Sequence, residues 1–272
     1  MIAQSSFVAM YIMIAVGIIL PVGLTAWWMI TKKERIEIIL AGAATWFVFA
    51  IVLENILKSI LFDPSRSIGK IVTDNVFLAT VIGALLAGIF EETGRFLVFK
   101  YVLKKKDNKE TAISHGIGHG GFEALYLLVT AGIQDLLFAA MINTGGFQEV
   151  IDTAAAQGID ISTLEALPEA LKSLTPLTAC ISGFERVCAI LLHIGLSILV
   201  FYAVRRSKIG LYFLAVLLHA FFDVPAALYQ LGVIKSMYIV EVLLAVYAVV
   251  FFVTVLRKLY NNYDIDSGGI CN

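Results

Sequence analysis

Charge is what this sequence has little of. Only 15% of its 272 residues are Asp, Glu, Lys or Arg, where a soluble domain carries roughly a quarter. With 60% hydrophobic residues and a mean hydropathy of +0.89, it cannot cover a water-soluble globule. Disorder and coiled coil are excluded by the same composition. The formal net charge of -1 offers no basic field to nucleic acid. Cysteine is scarce too. Cys180 and Cys188 lie inside an apolar run and Cys271 in the tail, forming neither a CxxC pair nor an even disulfide framework. Internal repeats and low-complexity tracts are absent.

What is present is hydrophobic length. A helix needs about 20 apolar residues to cross ~30 Å of hydrocarbon at 1.5 Å per residue. Seven segments qualify: 7-30, 36-61, 76-102, 111-142, 178-204, 209-232 and 236-257. They predict an all-α polytopic membrane protein, a single membrane domain over 1-272 with spans three to six (76-232) as its core. The fourth segment is long enough to tilt, or to break near Gly132. The first has no basic n-region, exceeds the length of an h-region and lacks a small-x-small site before Lys32. It is expected to stay in the mature protein and not to be cleaved as a signal peptide.

Basic residues then orient the spans. Lys32, Lys33 and Arg35 follow span one, Lys104, Lys105, Lys106 and Lys109 follow span three, Arg205, Arg206 and Lys208 follow span five, and Arg257 and Lys258 close span seven. The other side has Lys58, Arg66, Lys70, Lys172 and Lys235. Twelve against five, in strict alternation, predicts an N-terminus outside and a C-terminus in the cytoplasm. The acidic connection 143-175 is then an extracytoplasmic loop, with a short amphipathic helix over 162-174 that Ser162 is expected to cap.

Against this background, ionisable residues inside the spans need a reason, since each costs at least ~2.5-3.5 kcal/mol on insertion scales. Span three carries Glu91, Glu92 and Arg95, span four His115, His119 and Glu123, span five Glu185, Arg186 and His193, and span six His219 and Asp223. All four histidines belong to this set. Spacing of four residues puts His115, His119 and Glu123 on one helix stripe, and likewise His219 with Asp223 and Glu91 with Arg95. From each span's cytoplasmic end, Glu91 and Glu123 lie roughly 18 Å deep, His193 roughly 17 Å, His219 roughly 15 Å, His119 roughly 12 Å and Asp223 roughly 21 Å. Arg186 and Glu54, at roughly 28 and 27 Å, form a separate outer layer suited to structural ion pairing.

Bland explanations compete with a site. A buried histidine taken alone, such as His115, reads as a hydrogen-bonded core residue. Glu92 and Arg95 can simply neutralise one another, and Gly116, Gly118, Gly120 and Gly121 read as a tight helix crossing before a substrate groove. Phe221, Phe222 and Trp46 are span filler. The common depth of acids and imidazoles from four helices is what points to function. A carboxylate beside imidazoles can deprotonate water, and histidines from different helices can bind a divalent metal or donate to an oxyanion. No HExxH, GxSxG or GxSG motif occurs, nor a span-embedded YD plus GxGD pair.

The order Glu91-Glu92-Thr93-Gly94-Arg95, then Gly116 to Ala124 with His119 and Glu123, then Glu185-Arg186 with His193, then His219 to Asp223, resembles the YhfC family of bacterial intramembrane metalloproteases. That family is related to PrsW and more distantly to the CAAX-processing endopeptidases. The resemblance covers about residues 76-232. It implies an intramembrane endopeptidase acting on a membrane-embedded or membrane-adjacent polypeptide in the bacterial plasma membrane, with Glu91 as water-activating base and Glu92 and Arg95 as an orienting pair. His193 and His219 are implied as metal ligands or oxyanion donors, Asp223 as their support or a further ligand, and His119 with Glu123 as the opposite wall. The middle histidine of the pattern is His119 or His193, the PrsW-like order favouring His193. The cofactor implied is one divalent metal ion, zinc, with a glutamate-and-water route as the alternative. The partners expected are the lipid bilayer and a membrane polypeptide, with no nucleic acid. A solute transporter or vitamin-uptake subunit, and a non-catalytic scaffold descended from a protease, are the rival readings.

The charge asymmetry generates a topological prediction. A reporter fused after Lys258 should read cytoplasmic and one inserted near Gly158 external; the reverse pattern would invert the depth scale.

Overall fold

In hydrocarbon a chain has to satisfy every backbone N–H and C=O within itself, which forces apolar segments of this length into helices. A computed structural model, in which residues 1-263 are described, shows this outcome. Cys271 lies outside the described residues. Seven helices are long and apolar enough to cross a membrane: spans one (Gln4–Lys32), two (Ile36–Leu61), three (Val76–Val102), four (Glu110–Thr144), five (Pro176–Arg205), six (Ile209–Gln230) and seven (Met237–Tyr260). The described residues contain no strand. The protein is thus an all-α, multi-pass membrane protein, and its exposed large side chains, among them Ile19, Trp27, Leu217, Phe221, Val242 and Val250, are those of a lipid-facing surface.

The described residues divide into two compact units, 1-22 with 124-186 and 23-123 with 187-263, so spans one, four and five contribute to both. In the first, the amide of Ile2 donates to Asn143 Oδ1 at 2.6 Å and Ser6 Oγ to the carbonyl of Leu174 at 3.0 Å, tying the chain start to the polar connection. Met10, Ala139 and Leu171 form its core. Two short helices, Phe147–Ala156 and Ser162–Ser173, occupy the connection. The expected N-cap is displaced: Ser162 is the first helical residue, and its amide donates to Asp160 Oδ1 at 2.9 Å. That donation, reinforced by the Ser162 hydroxyl, holds the Asp160 carboxyl below its ordinary range. Span four runs unbroken through Gly132, where a β-carbon would stand 2.7 Å from Ile14 Cγ1. The glycine there serves close packing and not a break.

The second unit explains the other glycines. Without a hydrophobic force between helices in lipid, association rests on van der Waals contact, and small residues let backbones approach. A β-carbon on Gly42 would collide with the carbonyl of His115 and one on Gly118 with that of Ile39, so spans two and four cross backbone to backbone. β-Carbons on Gly116 and Gly120 would stand 2.5 and 3.0 Å from Ile194 Cα and His193 Cβ, so these glycines seat span four on span five. A β-carbon on Gly88 would stand 2.5 Å from the Val216 carbonyl oxygen, so this glycine seats span three on span six. Asn75 caps span three by accepting from the Leu78 amide at 3.1 Å. At the far end of span three, Arg205 donates to the carbonyls of Phe99, Leu103 and Lys106 at 3.0, 2.7 and 2.9 Å. One guanidinium thereby ties the last turn of the span to the loop that follows it.

These crossings make a paired prediction. Gly118→Ala should destabilise the protein by about 1–3 kcal/mol, the usual penalty of overpacking. Gly23→Ala, with nothing within 4 Å of the added methyl, should be neutral or gain about 0.4–1 kcal/mol. Thermal unfolding of both variants in detergent provides the comparison, and equal melting temperatures would refute the packing role.

Candidate active site

Helical periodicity and the glycine crossings together aim four polar stripes at one point in the second unit. Span three supplies Glu91, Glu92 and Arg95, all buried, span four His119 and Glu123, span five His193, and span six His219 and Asp223. Glu92 and Arg95 are wholly shielded and pair at 2.8 Å through Oε1 and Nη1. The same Oε1 lies 2.8 Å from His219 Nδ1, and Arg95 Nη2 lies 2.8 Å from His193 Nδ1. One ion pair therefore touches a histidine on each of two other helices. Glu91 Oε2 bonds His119 Nε2 at 2.8 Å and faces His219 Nε2 at 3.9 Å, whose other carboxylate neighbour, Asp223 Oδ2, stands at 3.8 Å. His193 Nε2 lies 2.6 Å from Glu123 Oε2.

Exposure rises in one direction across this cluster. The side chains of Glu92, Arg95 and His119 are fully shielded, that of Glu91 is 8% exposed, Glu123 13% and Asp223 33%. The site has a closed floor at the ion pair and opens at Asp223. Both candidates for the middle histidine reach the cluster, His119 through Glu91 and His193 through Arg95 and Glu123. Their rings stand 4.8 Å apart, and His193 stands 5.4 Å from His219. His115 plays the structural part expected of it. It packs on Phe99 at 4.6 Å, and its two nitrogens lie 3.3 Å from Thr45 Oγ1 and from Ser197 Oγ. Those two hydroxyl partners carry no signal in sequence, since lone Thr and Ser residues are common in spans. Arg186 pairs with Glu185, and Glu54 with Lys58 at 2.5 Å.

A metal fits the donor chemistry. One ligand atom each from Glu91, His193 and His219 lies within 4.8 Å of the other two, all three residues being buried. Two imidazoles and a carboxylate are a donor set that zinc accepts with a further position open. Charge points the same way: four carboxylates surround a single permanent cation, Arg95, and so much negative charge away from water requires protons or a metal cation to offset it.

Comparison with known proteins then decides the family. A family model described as YhfC intramembrane metalloprotease matches residues 14-244, which include every residue of the cluster. The chain belongs to the YhfC family. A Bacillus subtilis (strain 168) protein named uncharacterized membrane protein YhfC is 32% identical over 248 residues, covering 91% of this chain and 94% of that protein. No solved structure matches.

The shielded ion pair predicts an asymmetry between substitutions. Glu92→Ala strands the Arg95 charge and should cost about 3–5 kcal/mol, whereas Glu92→Gln keeps an acceptor and should cost distinctly less. Unfolding of the purified variants would measure this, and an alanine variant as stable as wild type would deny the pair its role.

Proposed function

We propose that this chain is an intramembrane endopeptidase that hydrolyses peptide bonds of membrane-embedded or membrane-adjacent polypeptides. The observation that carries the reading is the convergence of Glu91, His193 and His219 at a buried point where four spans meet. Glu91 is the general base. Its Oε2, held by His119, is the proton acceptor for a water entering from the Asp223 side, and a positioned base contributes roughly 10²–10⁴-fold to such a step. The fixed, shielded environment means that little reorganisation is needed as charge develops. Glu92 and Arg95 orient the two histidines, and Asp223 and Glu123 line the opening toward the substrate. His219 and His193 would serve as ligands or as hydrogen-bond donors to the developing oxyanion, with Asp223 as their support or a further ligand, around one divalent metal, zinc being the ion proposed. When bound, it would supply Lewis acidity to the attacking water and the scissile carbonyl.

The rivals find less support. Transport sites in membranes are commonly built from broken helices, whereas spans four, five and six are continuous helices. A disused scaffold is expected to leave Glu91 tied to Arg95, whereas Glu91 meets His119 and faces His219.

Glu91→Gln should keep the fold and any bound zinc while abolishing cleavage, because it removes a proton acceptor and almost no volume. Mapping of new N-termini in membranes from cells expressing wild type or E91Q would read this out. Full activity in E91Q would transfer the base to Glu92 or Glu123. Solute uptake by reconstituted vesicles, with no new N-termini in either sample, would replace the peptidase reading with transport.

A further inference from the structure

The contacts of the Glu92–Arg95 pair carry more than orientation. An arginine has N–H donors and no acceptor, so at the 2.8 Å contact with Arg95 Nη2 the Nδ1 of His193 has to be the acceptor. A neutral imidazole has one proton, which then sits on Nε2, the atom 2.6 Å from Glu123 Oε2. His219 is set the other way. Its Nδ1 meets Glu92 Oε1, an oxygen that also receives Arg95 Nη1 and so belongs to a carboxylate. A carboxylate only accepts, which places the His219 proton on Nδ1. Its Nε2 has Asp223 Oδ2 at 3.8 Å and Glu91 Oε2 at 3.9 Å, beyond hydrogen-bond reach. A proton there would be buried without an acceptor.

We propose that the Glu92–Arg95 ion pair fixes His193 and His219 in opposite tautomers, so that His219 presents an Nε2 lone pair toward Glu91 and Asp223 and His193 an Nε2–H toward Glu123. His219 is then the metal ligand and His193 the hydrogen-bond donor. This functional meaning rests on the endopeptidase reading; the tautomers do not. A histidine that binds a metal through one nitrogen donates the proton of the other to an acceptor. Glu92 is such an acceptor for His219, and Arg95 cannot be one for His193. Although His193 is near enough to Glu91 and His219 to share an ion, it does so only if Arg95 withdraws. Asp223 Oδ2 is then a further oxygen donor beside His219. Glu92 and Arg95 are positioning residues, acting through the two imidazoles.

Four histidines make the test tractable. Nitrogen-15 spectra of the ring nitrogens, recorded on histidine-labelled full-length protein in lipid at neutral pH and assigned with single His→Gln variants, report which nitrogen carries each proton. The expected result is a protonated Nε2 and bare Nδ1 for His193, and the reverse for His219. The same tautomer in both rings, or protons on both nitrogens of His219, would overturn the proposal. Zn²⁺ titrated into metal-stripped protein gives the second readout. His219→Gln should abolish binding and Glu92→Gln should weaken it by about 10–100-fold, the usual effect of altering a ligand's outer hydrogen-bond partner, here a carboxylate exchanged for a neutral amide. His193→Gln should leave affinity close to that of wild type, as for a residue outside the coordination set. Equal loss in His193→Gln and His219→Gln, or no zinc uptake by wild type, would overturn the ligand assignment. Neither readout depends on proteolysis, so failure of the peptidase reading would appear only in the N-terminal mapping.

Discussion

One ion pair holds together the histidines of spans five and six in the middle of this membrane protein. A guanidinium shielded from water needs a carboxylate in contact with it, and Glu92 supplies that at 2.8 Å. Neither group is used up by the other. Glu92 has a lone pair left for His219, and Arg95 has an N–H left for His193. The helical spacing of three residues that lets the pair form on span three therefore also sets the distance between histidines on spans five and six.

That arrangement is affordable only because the helices come close. Polar side chains reach across a bundle when backbones nearly touch, and the backbones nearly touch where Gly42, Gly88, Gly116 and Gly118 carry no β-carbon. The glycines lower helix propensity, a loss that matters little to a segment with no alternative to helix in hydrocarbon. Close crossing, burial of the ion pair and convergence of the carboxylates are thus a single physical arrangement. Its surplus of negative charge is what makes a proton-handling or metal-holding centre the natural use of the space.

Family membership and geometry bear on function differently. The matched family is described as an intramembrane metalloprotease, and the match spans the entire cluster. The geometry adds which atoms face one another: Glu91 toward His119 and His219, Glu123 toward His193, and Asp223 at the opening. The proposed chemistry assigns the base, the donor and the ligand among those atoms, and the tautomers follow from the rule that arginine only donates.

Periodicity and hydropathy were enough to place seven helices, because segment length and lack of charge leave an apolar chain no other structure in lipid. They also picked out the polar residues that come together in the cluster, since a charge in such a span is rare and i to i+4 spacing shows which residues share a face. Some things were beyond sequence reasoning. Whether span four breaks at Gly132 depended on Ile14 and Met10, residues more than a hundred positions away. Whether His119 or His193 joins the cluster depended on helix rotation, and both do. The partners of His115 are Thr45 and Ser197, ordinary residues on other helices. Spacing along one helix is local and can be read from the chain, whereas distance between helices is decided by the packing of backbones at their crossings. The protonation pattern of the two histidines lies further still beyond the sequence, because it is set by which atom of a neighbouring helix each ring nitrogen meets.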